Sequence, residues 1–336
     1  MTDHRITILE ADRVVDGRDT VSVLDACLNG GVSVRYNCRS GECGECMARL
    51  VSGRVKELPG ADPAIFNDGH RQDGMILSCL CYPETDLEIS VAMAAEGAPA
   101  IREFDAVVAR VHRPVPSIAE ITVRTDGAVD YVAGQYFEWI LPGIDPNRSY
   151  SAATRPGGVE ITFHVRLYPD GQVSKRILRG EVASGDILTM KGPYGAFRWS
   201  DGDDRPTIMV AGGTGMAPIK ALLEEAFALG TRRRILYVYG TRRSEDLYQT
   251  ETMAEWMARF PNFTFIPALS DEPARSGWQG ARGLVTDILK REVRDAFGAE
   301  AYLCGPPPMI DAAIPLLEQM GLDRSDIHYD KFTPVG

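Results

Sequence analysis

One stretch restricts this chain more than any other: Asn37-Cys38-Arg39-Ser40-Gly41-Glu42-Cys43-Gly44-Glu45-Cys46, answered later by Leu77-Ser78-Cys79. The spacing C-x4-C-x2-C with a distant fourth cysteine is the plant-type arrangement for a [2Fe–2S] cluster. Four thiolates and two sulfides around two ferric ions leave a net negative object, so the loop has to crowd backbone N–H groups around it. Gly41 and Gly44 let the backbone turn inward, and the small polar Ser40 serves the same need. Zinc usually takes paired C-x2-C halves, and only one such half is present. A disulfide knot does not suit a chain that otherwise reads as cytosolic. No Cys-x-His occurs in the loop, which argues against a Rieske centre. Two residues compete as fourth ligand. Cys79 closes the apolar run Met75-Ile76-Leu77 and is expected to point from a strand toward the loop, whereas Cys81 faces the same side further off. The expected metal ligands are therefore Cys38, Cys43, Cys46 and Cys79.

With 336 residues the chain is too long for one ordinary core, and two or three domains are expected. The N-terminus lacks the basic-then-apolar layout of a signal peptide, and no apolar run is long enough to span a bilayer; a cytoplasmic protein with no membrane partner is expected. A net charge of −11 argues against nucleic acid. The charge is uneven: residues 1–98 hold 16 Asp and Glu against 9 Lys and Arg, a net of −7, leaving −4 for all the rest. An acidic module around a redox centre suits docking onto a basic patch of another protein.

Along the chain, residues 3–10 alternate as a strand, and 20–30 form a short helix ending at Gly30-Gly31 that places Cys27 in the core. Strands follow at Met47–Val51 and Asp86–Val91. A small-residue linker comes at 94–100. From about 101 to 200 the chain changes to short alternating strands at Phe104–Val111, Glu120–Arg124, Tyr136–Leu141, Val159–Arg166 and Ile187–Lys191, which predicts a closed antiparallel barrel. Within it, Arg148-Ser149-Tyr150-Ser151 sets an arginine for a pyrophosphate beside a ring that can stack, and Gly171-Gln172-Val173-Ser174 opens a helix at about 172–180 whose free N–H groups suit phosphate.

From about 205 strands and helices alternate, which implies a parallel sheet with ligand at the C-terminal strand ends. Thr207–Val210 runs into Gly212-Gly213-Thr214-Gly215 and a helix at Ile219–Leu229, a turn where backbone can approach a pyrophosphate. Further strands are expected at Ile235–Tyr239, Thr264–Pro267 and Ala301–Cys304, with helices near 246–259, 284–296 and 308–320. Two strand ends look chemical: Cys304-Gly305-Pro306-Pro307-Pro308-Met309, and Tyr239-Gly240-Thr241-Arg242-Arg243-Ser244-Glu245-Asp246. In the second, Arg242 or Arg243 suits a 2′-phosphate while Glu245 or Asp246 suits a 2′-hydroxyl, so the residues leave NADH and NADPH both open.

These pieces in this order resemble the reductase components of bacterial multicomponent oxygenases, and within them those of soluble di-iron monooxygenases of the methane, phenol and propane type. The resemblance rests on the four cysteines, on Arg148-Ser149-Tyr150-Ser151, on Gly212–Gly215, on Tyr302-Leu303-Cys304-Gly305-Pro306-Pro307-Pro308-Met309-Ile310-Asp311 and on Tyr329-Asp330-Lys331-Phe332. It implies three domains: a β-grasp ferredoxin at 1–98, a six-stranded antiparallel FAD-binding barrel at 99–204 and a parallel-sheet NAD(P)-binding domain at 205–336. It further implies that Arg148, Ser149, Tyr150 and Ser151 hold FAD, that the backbone of Val165 and Arg166 faces the flavin edge, and that Gly171, Val173 and Ser174 bind phosphate. Gly212, Gly213, Thr214 and Gly215, with Gly305, Pro306 and Met309, would receive NADH in preference to NADPH, with Arg242 and Asp246 at the adenosine end. Cys304 and Thr214 would lie at the nicotinamide, and Phe332 would cover the flavin until the nicotinamide displaces it. Two departures stand out: Thr154 replaces the usual serine after the flavin motif, and Asp330 replaces the more familiar glutamate before the terminal aromatic.

Electron counting supports the order. NADH gives two electrons as a hydride and a [2Fe–2S] cluster accepts one, so a flavin has to lie between them. The expectation is an NADH-dependent reductase, monomeric when free, that feeds the hydroxylase of a di-iron monooxygenase. A Rieske dioxygenase or deoxysugar dehydrase reductase shares the same modules, and a non-enzymatic iron–sulfur sensor is the reading of another class.

Overall fold

The computed structural model describes residues 2–94, 97–200 and 202–333; the linker residues Ala95 and Glu96 lie outside the described residues. It divides the chain into two compact units, Met1–Ile101 and Arg102–Gly336.

The first unit runs β1 (Asp3–Ile8), β2 (Arg13–Arg18), α1 (Val23–Asn29), β3 (Met47–Ser52), β4 (Val55–Glu57), α2 (Asp68–Gln72), β5 (Met75–Leu77), β6 (Cys81–Pro83) and β7 (Leu87–Val91). Five strands form a mixed sheet in the order β2-β1-β7-β3-β5, with β1 and β7 parallel, and β4 pairs separately with β6. Alternation in β1 buries Ile6 and Ile8 against Leu24, Cys27 and Ile89. Helix α1 starts where the Ser22 hydroxyl accepts the Asp25 N–H at 3.0 Å. Burial pushes the Cys27 and Cys81 thiols up to about 12, so both stay neutral in the core. Cys79 does not sit on a strand as expected. It lies in the turn between β5 and β6, because Leu77 is the last residue to pair with β3.

The second unit begins with β8 (Arg102–Val115), β9 (Ile118–Arg124), β10 (Tyr136–Ile140), β11 (Arg148–Ser151), β12 (Glu160–Arg166), α3 (Gln172–Leu178) and β13 (Ile187–Tyr194). The sheet order is β11-β10-β13-β8-β9-β12. An antiparallel bridge between Ala152 and Phe163 joins its two edge strands, which closes it into a barrel and leaves no open edge there. Strand β11 itself carries the Arg148–Ser151 motif; it is not among the expected strands, since four residues are too few to show a period.

The chain continues with β14 (Thr207–Gly212), α4 (Met216–Ala228), β15 (Ile235–Thr241), α5 (Thr250–Arg259), β16 (Phe263–Leu269), β17 (Ala281–Arg282), α6 (Val285–Glu292), β18 (Glu300–Gly305), α7 (Pro307–Gln319) and β19 (Ile327–Lys331). All strands of this sheet pair in parallel, in the order β17-β16-β15-β14-β18-β19, and β14 and β18 are buried along their whole length. Helix α5 starts at Thr250 rather than near 246, since Gln249 holds a left-handed φ of 59° that helical backbone cannot use. Helix α6 stops at Glu292, where Val293 turns extended. Strands β17 and β19 escaped the periodicity reading; β19 is polar in sequence yet adds to the sheet beside β18.

The barrel and the parallel sheet share one core. Ile118, Ala133, Phe197 and Trp199 pack with Met209, Tyr237 and Tyr302, which is why they form one unit rather than two. At the N-terminal end of β18 the fully buried Arg233 donates to Glu300 at 2.5 Å and stacks 4.7 Å over Trp199. Pairing with hydrogen bonds is what a buried charge requires.

Candidate functional site

In the first unit the loop after α1 brings the four expected cysteines together in two pairs. Cys46 and Cys79 place their Sγ atoms 3.2 Å apart, and Cys38 hydrogen-bonds to Cys43. Among the described residues no three of His, Cys, Asp and Glu converge on a single-ion site. That pairwise layout is what a binuclear cluster asks for, since each iron takes two thiolates and shares two sulfides. Positive φ at Arg39 (57°), Gly41 (86°) and Gly44 (75°) turns the backbone inward, and the Ser40 and Cys38 N–H groups point at Cys38 and Cys43 sulfur at 3.4 and 3.5 Å. Such donors favour thiolate: the Cys38 thiol is pulled down to about 5, first by the hydrogen bond from Cys43. Within each pair the other thiol, Cys43 or Cys79, is pushed up, first by the hydrogen bond with its partner and then by burial. Ser78 donates to the Cys46 carbonyl at 2.9 Å and fixes the approach of the distant ligand.

In the barrel, Arg148 on β11 reaches the Pro146 carbonyl and Gln172 Oε1, the latter at 3.1 Å. Gln172 is the first residue of α3, so the guanidinium and the unpaired N–H groups of the helix start face one place, as an anion site requires. Tyr150 lies 4.4 Å from Trp139, centroid to centroid, and burial pushes its hydroxyl well up. Ser149 is exposed, whereas Ser151, Val165 and Val173 are buried. Ser174 is also buried. Its hydroxyl accepts the Tyr168 N–H at 3.0 Å and faces the Arg166 carbonyl, so its side chain closes the loop onto β12 and only its backbone remains for phosphate.

At the C-terminal ends of β14 and β18 the glycines divide by role. A Cβ on Gly215 would lie 2.1 Å from the Cys304 carbonyl oxygen, one on Gly305 would lie 2.7 Å from that of Gly212, and one on Gly212 would lie 2.8 Å from Met309 sulfur. These three let α4 and α7 close onto the strands. Gly213, at φ 56°, meets nothing within 4 Å and borders open space, with Thr214 half-buried beside it, as a turn that receives a ligand must. Cys304 is fully buried, and burial raises its thiol well above the ordinary range. The Phe332 N–H donates to the Gly305 carbonyl at 2.8 Å, which seats the half-buried ring at the end of β18 beside the exposed Pro306.

Arg166, Arg242, Arg243, Glu245, Asp246 and Asp271 line a cleft of about 310 Å³. Asp271, at the end of β16, is 3.9 Å from Arg242 and 3.4 Å from Arg243. Glu272 accepts both the Ser244 N–H, at 2.8 Å, and its hydroxyl, at 2.9 Å. Sequence reasoning missed both acids; the signal was their place just past a strand end of the parallel sheet. Asp246 lines this cleft and is also held from the barrel: Ser117 donates to its Oδ1 at 2.7 Å, and Arg166 lies 3.6 Å away.

Comparison with known proteins matches each lobe. Residues 6–84 match the 2Fe-2S iron-sulfur cluster binding domain, 116–199 the oxidoreductase FAD-binding domain and 209–314 the oxidoreductase NAD-binding domain. The chain is 34% identical to the reductase component DmpP of phenol 2-monooxygenase from Pseudomonas sp. (strain CF600), over 98% of this chain and 94% of that one. It is 35% identical to the xylene/toluene monooxygenase electron transfer component XylA of Pseudomonas putida, over 93% and 88%. The crystal structure of the Amycolatopsis cytochrome P450 reductase GcoB superposes with a TM-score of 0.85 at 30% identity, over 98% and 99%. The chain therefore carries [2Fe–2S], FAD and NAD-binding domains, and it belongs to the family of reductase components of bacterial multicomponent monooxygenases.

Proposed function

We propose that this protein draws electrons from NADH and delivers them one at a time to the hydroxylase component of a soluble di-iron monooxygenase. The observation that carries this reading is the two-pair arrangement of Cys38, Cys43, Cys46 and Cys79, a one-electron site, in the same chain as a nucleotide turn at Gly213 and a flavin-type barrel. The bound FAD supplies the conversion of a hydride into two single electrons.

The chain's own residues bind and orient. Cys38, Cys43, Cys46 and Cys79 ligate the cluster, and the inward N–H groups of Cys38 and Ser40 tune it by hydrogen bonds to sulfur. Arg148 with the start of α3 would neutralise the FAD pyrophosphate, and Tyr150, Ser151 and the backbone of Val165 and Arg166 would hold the ring system. Gly212, Gly213, Thr214 and Gly215 receive the dinucleotide. Cys304 is held as a neutral thiol by burial and would place no charge at the nicotinamide site. Phe332, held at the end of β18 by its bond to Gly305, would shield the flavin site.

NADH is preferred over NADPH because Asp271 lies against both Arg242 and Arg243 and offsets part of their charge, and Glu272 occupies the donors of Ser244; a 2′-phosphate would meet two carboxylates. The acidic first module, 16 acids against 9 bases over residues 1–98, docks on a basic face of the hydroxylase. Seven cysteines with no disulfide among them suit a reducing cytoplasm. Anaerobic titration with NADH tests the core of this reading: flavin absorption should bleach first and the cluster bands next, and a spectrum that NADH leaves unchanged refutes it. Coupled turnover only on adding a di-iron hydroxylase, rather than a Rieske oxygenase, tests the acceptor.

A further inference from the structure

The barrel meets the nucleotide lobe through a run of polar contacts that none of the roles above uses. Four residues before α5 sits Asp246, held by Ser117 and facing Arg166 of β12. Two residues on, the Tyr248 hydroxyl lies 3.0 Å from His164 Nδ1, and Gln249 donates to Glu120 at 2.5 Å. His164 Nε2 faces the same Glu120 oxygen at 3.7 Å. His164 is fully buried and its pKa is pushed down to about 3, so the ring is neutral; with Nδ1 accepting from tyrosine, Nε2 carries the hydrogen toward Glu120. Gln249 adds an independent sign. Its φ of 59° is left-handed, a strained choice for a residue with a Cβ, and its side chain caps nothing in α5 but reaches across to Glu120.

We propose that Asp246–Gln249 is a positioning strut for hydride transfer, with His164 and Gln249 as positioning residues. The proposal rests on the functional reading above, in which the end of β12 faces the flavin and the cleft beside Asp246 holds the dinucleotide. His164 precedes the flavin-edge pair Val165-Arg166 on the same strand, and Asp246 shares its segment with the cleft-lining Arg242, Arg243 and Glu245. Apolar packing between the lobes permits sliding; directional, buried hydrogen bonds permit one register. The step that needs this register is the movement of a hydride with its electron pair from nicotinamide C4 to flavin N5, which breaks one C–H bond, forms one N–H bond and turns NADH into NAD+. Its rate falls steeply with misplacement.

The test uses the full-length holoprotein and three variants. Gln249→Gly relieves the left-handed strain, Gln249→Asn tolerates that backbone but is too short to reach Glu120, and Tyr248→Phe deletes one hydroxyl. Anaerobic stopped-flow with saturating NADH should show the limiting rate of flavin reduction lowered about tenfold in each, as misplacement predicts. The long-wavelength charge-transfer absorbance of the nicotinamide–flavin complex should weaken, while the NADH dissociation constant changes by less than about twofold. Gln249→Gly should melt no lower than the native protein. Reduction rates within about twofold of native in all three overturn the strut; so does a rate loss found only where melting falls in parallel, which a merely structural contact explains. If NADH fails to reduce the native protein, the functional reading falls and the strut with it.

Discussion

Cys46 and Cys79, 33 residues apart in sequence, bring their sulfur atoms to 3.2 Å, while Cys81, only two residues beyond Cys79, opens a strand of a different sheet and is buried in the core. The choice of fourth ligand follows from this pairing. Cys79→Ser should lose the visible cluster bands and most of the iron, measured by absorption and metal analysis. Cys81→Ser should keep both and lose about 1–3 kcal/mol of stability from a buried hydroxyl, measured by denaturant unfolding. Loss of the cluster in Cys81→Ser with retention in Cys79→Ser refutes the assignment.

The glycines of the nucleotide turn should separate by experiment as they do by geometry. Gly215→Ala forces a Cβ against the Cys304 carbonyl and should cost about 1–3 kcal/mol of stability in a thermal melt. Gly213→Ala has room, and costs only about 1–2 kcal/mol for its left-handed backbone, yet its methyl enters the ligand space. Steady-state kinetics should show a raised KM for NADH in Gly213→Ala; an unchanged KM removes Gly213 from the binding turn.

Asp271→Ser should free Arg242 and Arg243 for a 2′-phosphate. The ratio of kcat/KM for NADPH over NADH should rise about tenfold, which corresponds to about 1.4 kcal/mol. Ferricyanide reduction with either nucleotide measures it, and a ratio that does not move refutes the role of Asp271.

Acid should weaken the second unit through His164. Its folded pKa of about 3 lies below the ordinary 6.5, chiefly from burial and secondarily from Lys220, so the unfolded chain binds more protons between those values. Stability is therefore fully present above about pH 6.5 and declines as pH falls toward 3. Tyr248 and Glu120 face the ring and Lys220 acts at longer range. Calorimetric melts between pH 7.5 and pH 5 should show His164→Gln with a shallower pH dependence than the native chain; equal slopes refute it.

Much of the architecture was legible because it is local or periodic. The C-x4-C-x2-C spacing dictates a loop around a cluster whatever the rest of the chain does, and the change from alternating strands to strand–helix repeats near residue 205 marks where a barrel gives way to a parallel sheet. Arg148 and Gly213 could be singled out for the same reason, since each sits in a short motif whose chemistry needs only its neighbours. Strand β19 was missed because its burial comes from β18 rather than from its own polar sequence.

By itself the sequence determined the C-x4-C-x2-C loop of an iron–sulfur domain, the order of the three modules and the need for a flavin between hydride and single electrons. Only the tertiary structure decided that Cys79 and not Cys81 meets Cys46, that Asp246 is bonded to Ser117 of the barrel, that Asp271 lies against Arg242 and Arg243, and that barrel and nucleotide lobe share one core. These depend on contacts such as Ser117 with Asp246, 129 residues apart, and no spacing rule reaches that far. What a side chain does there is set by which partner the fold brings within hydrogen-bonding distance.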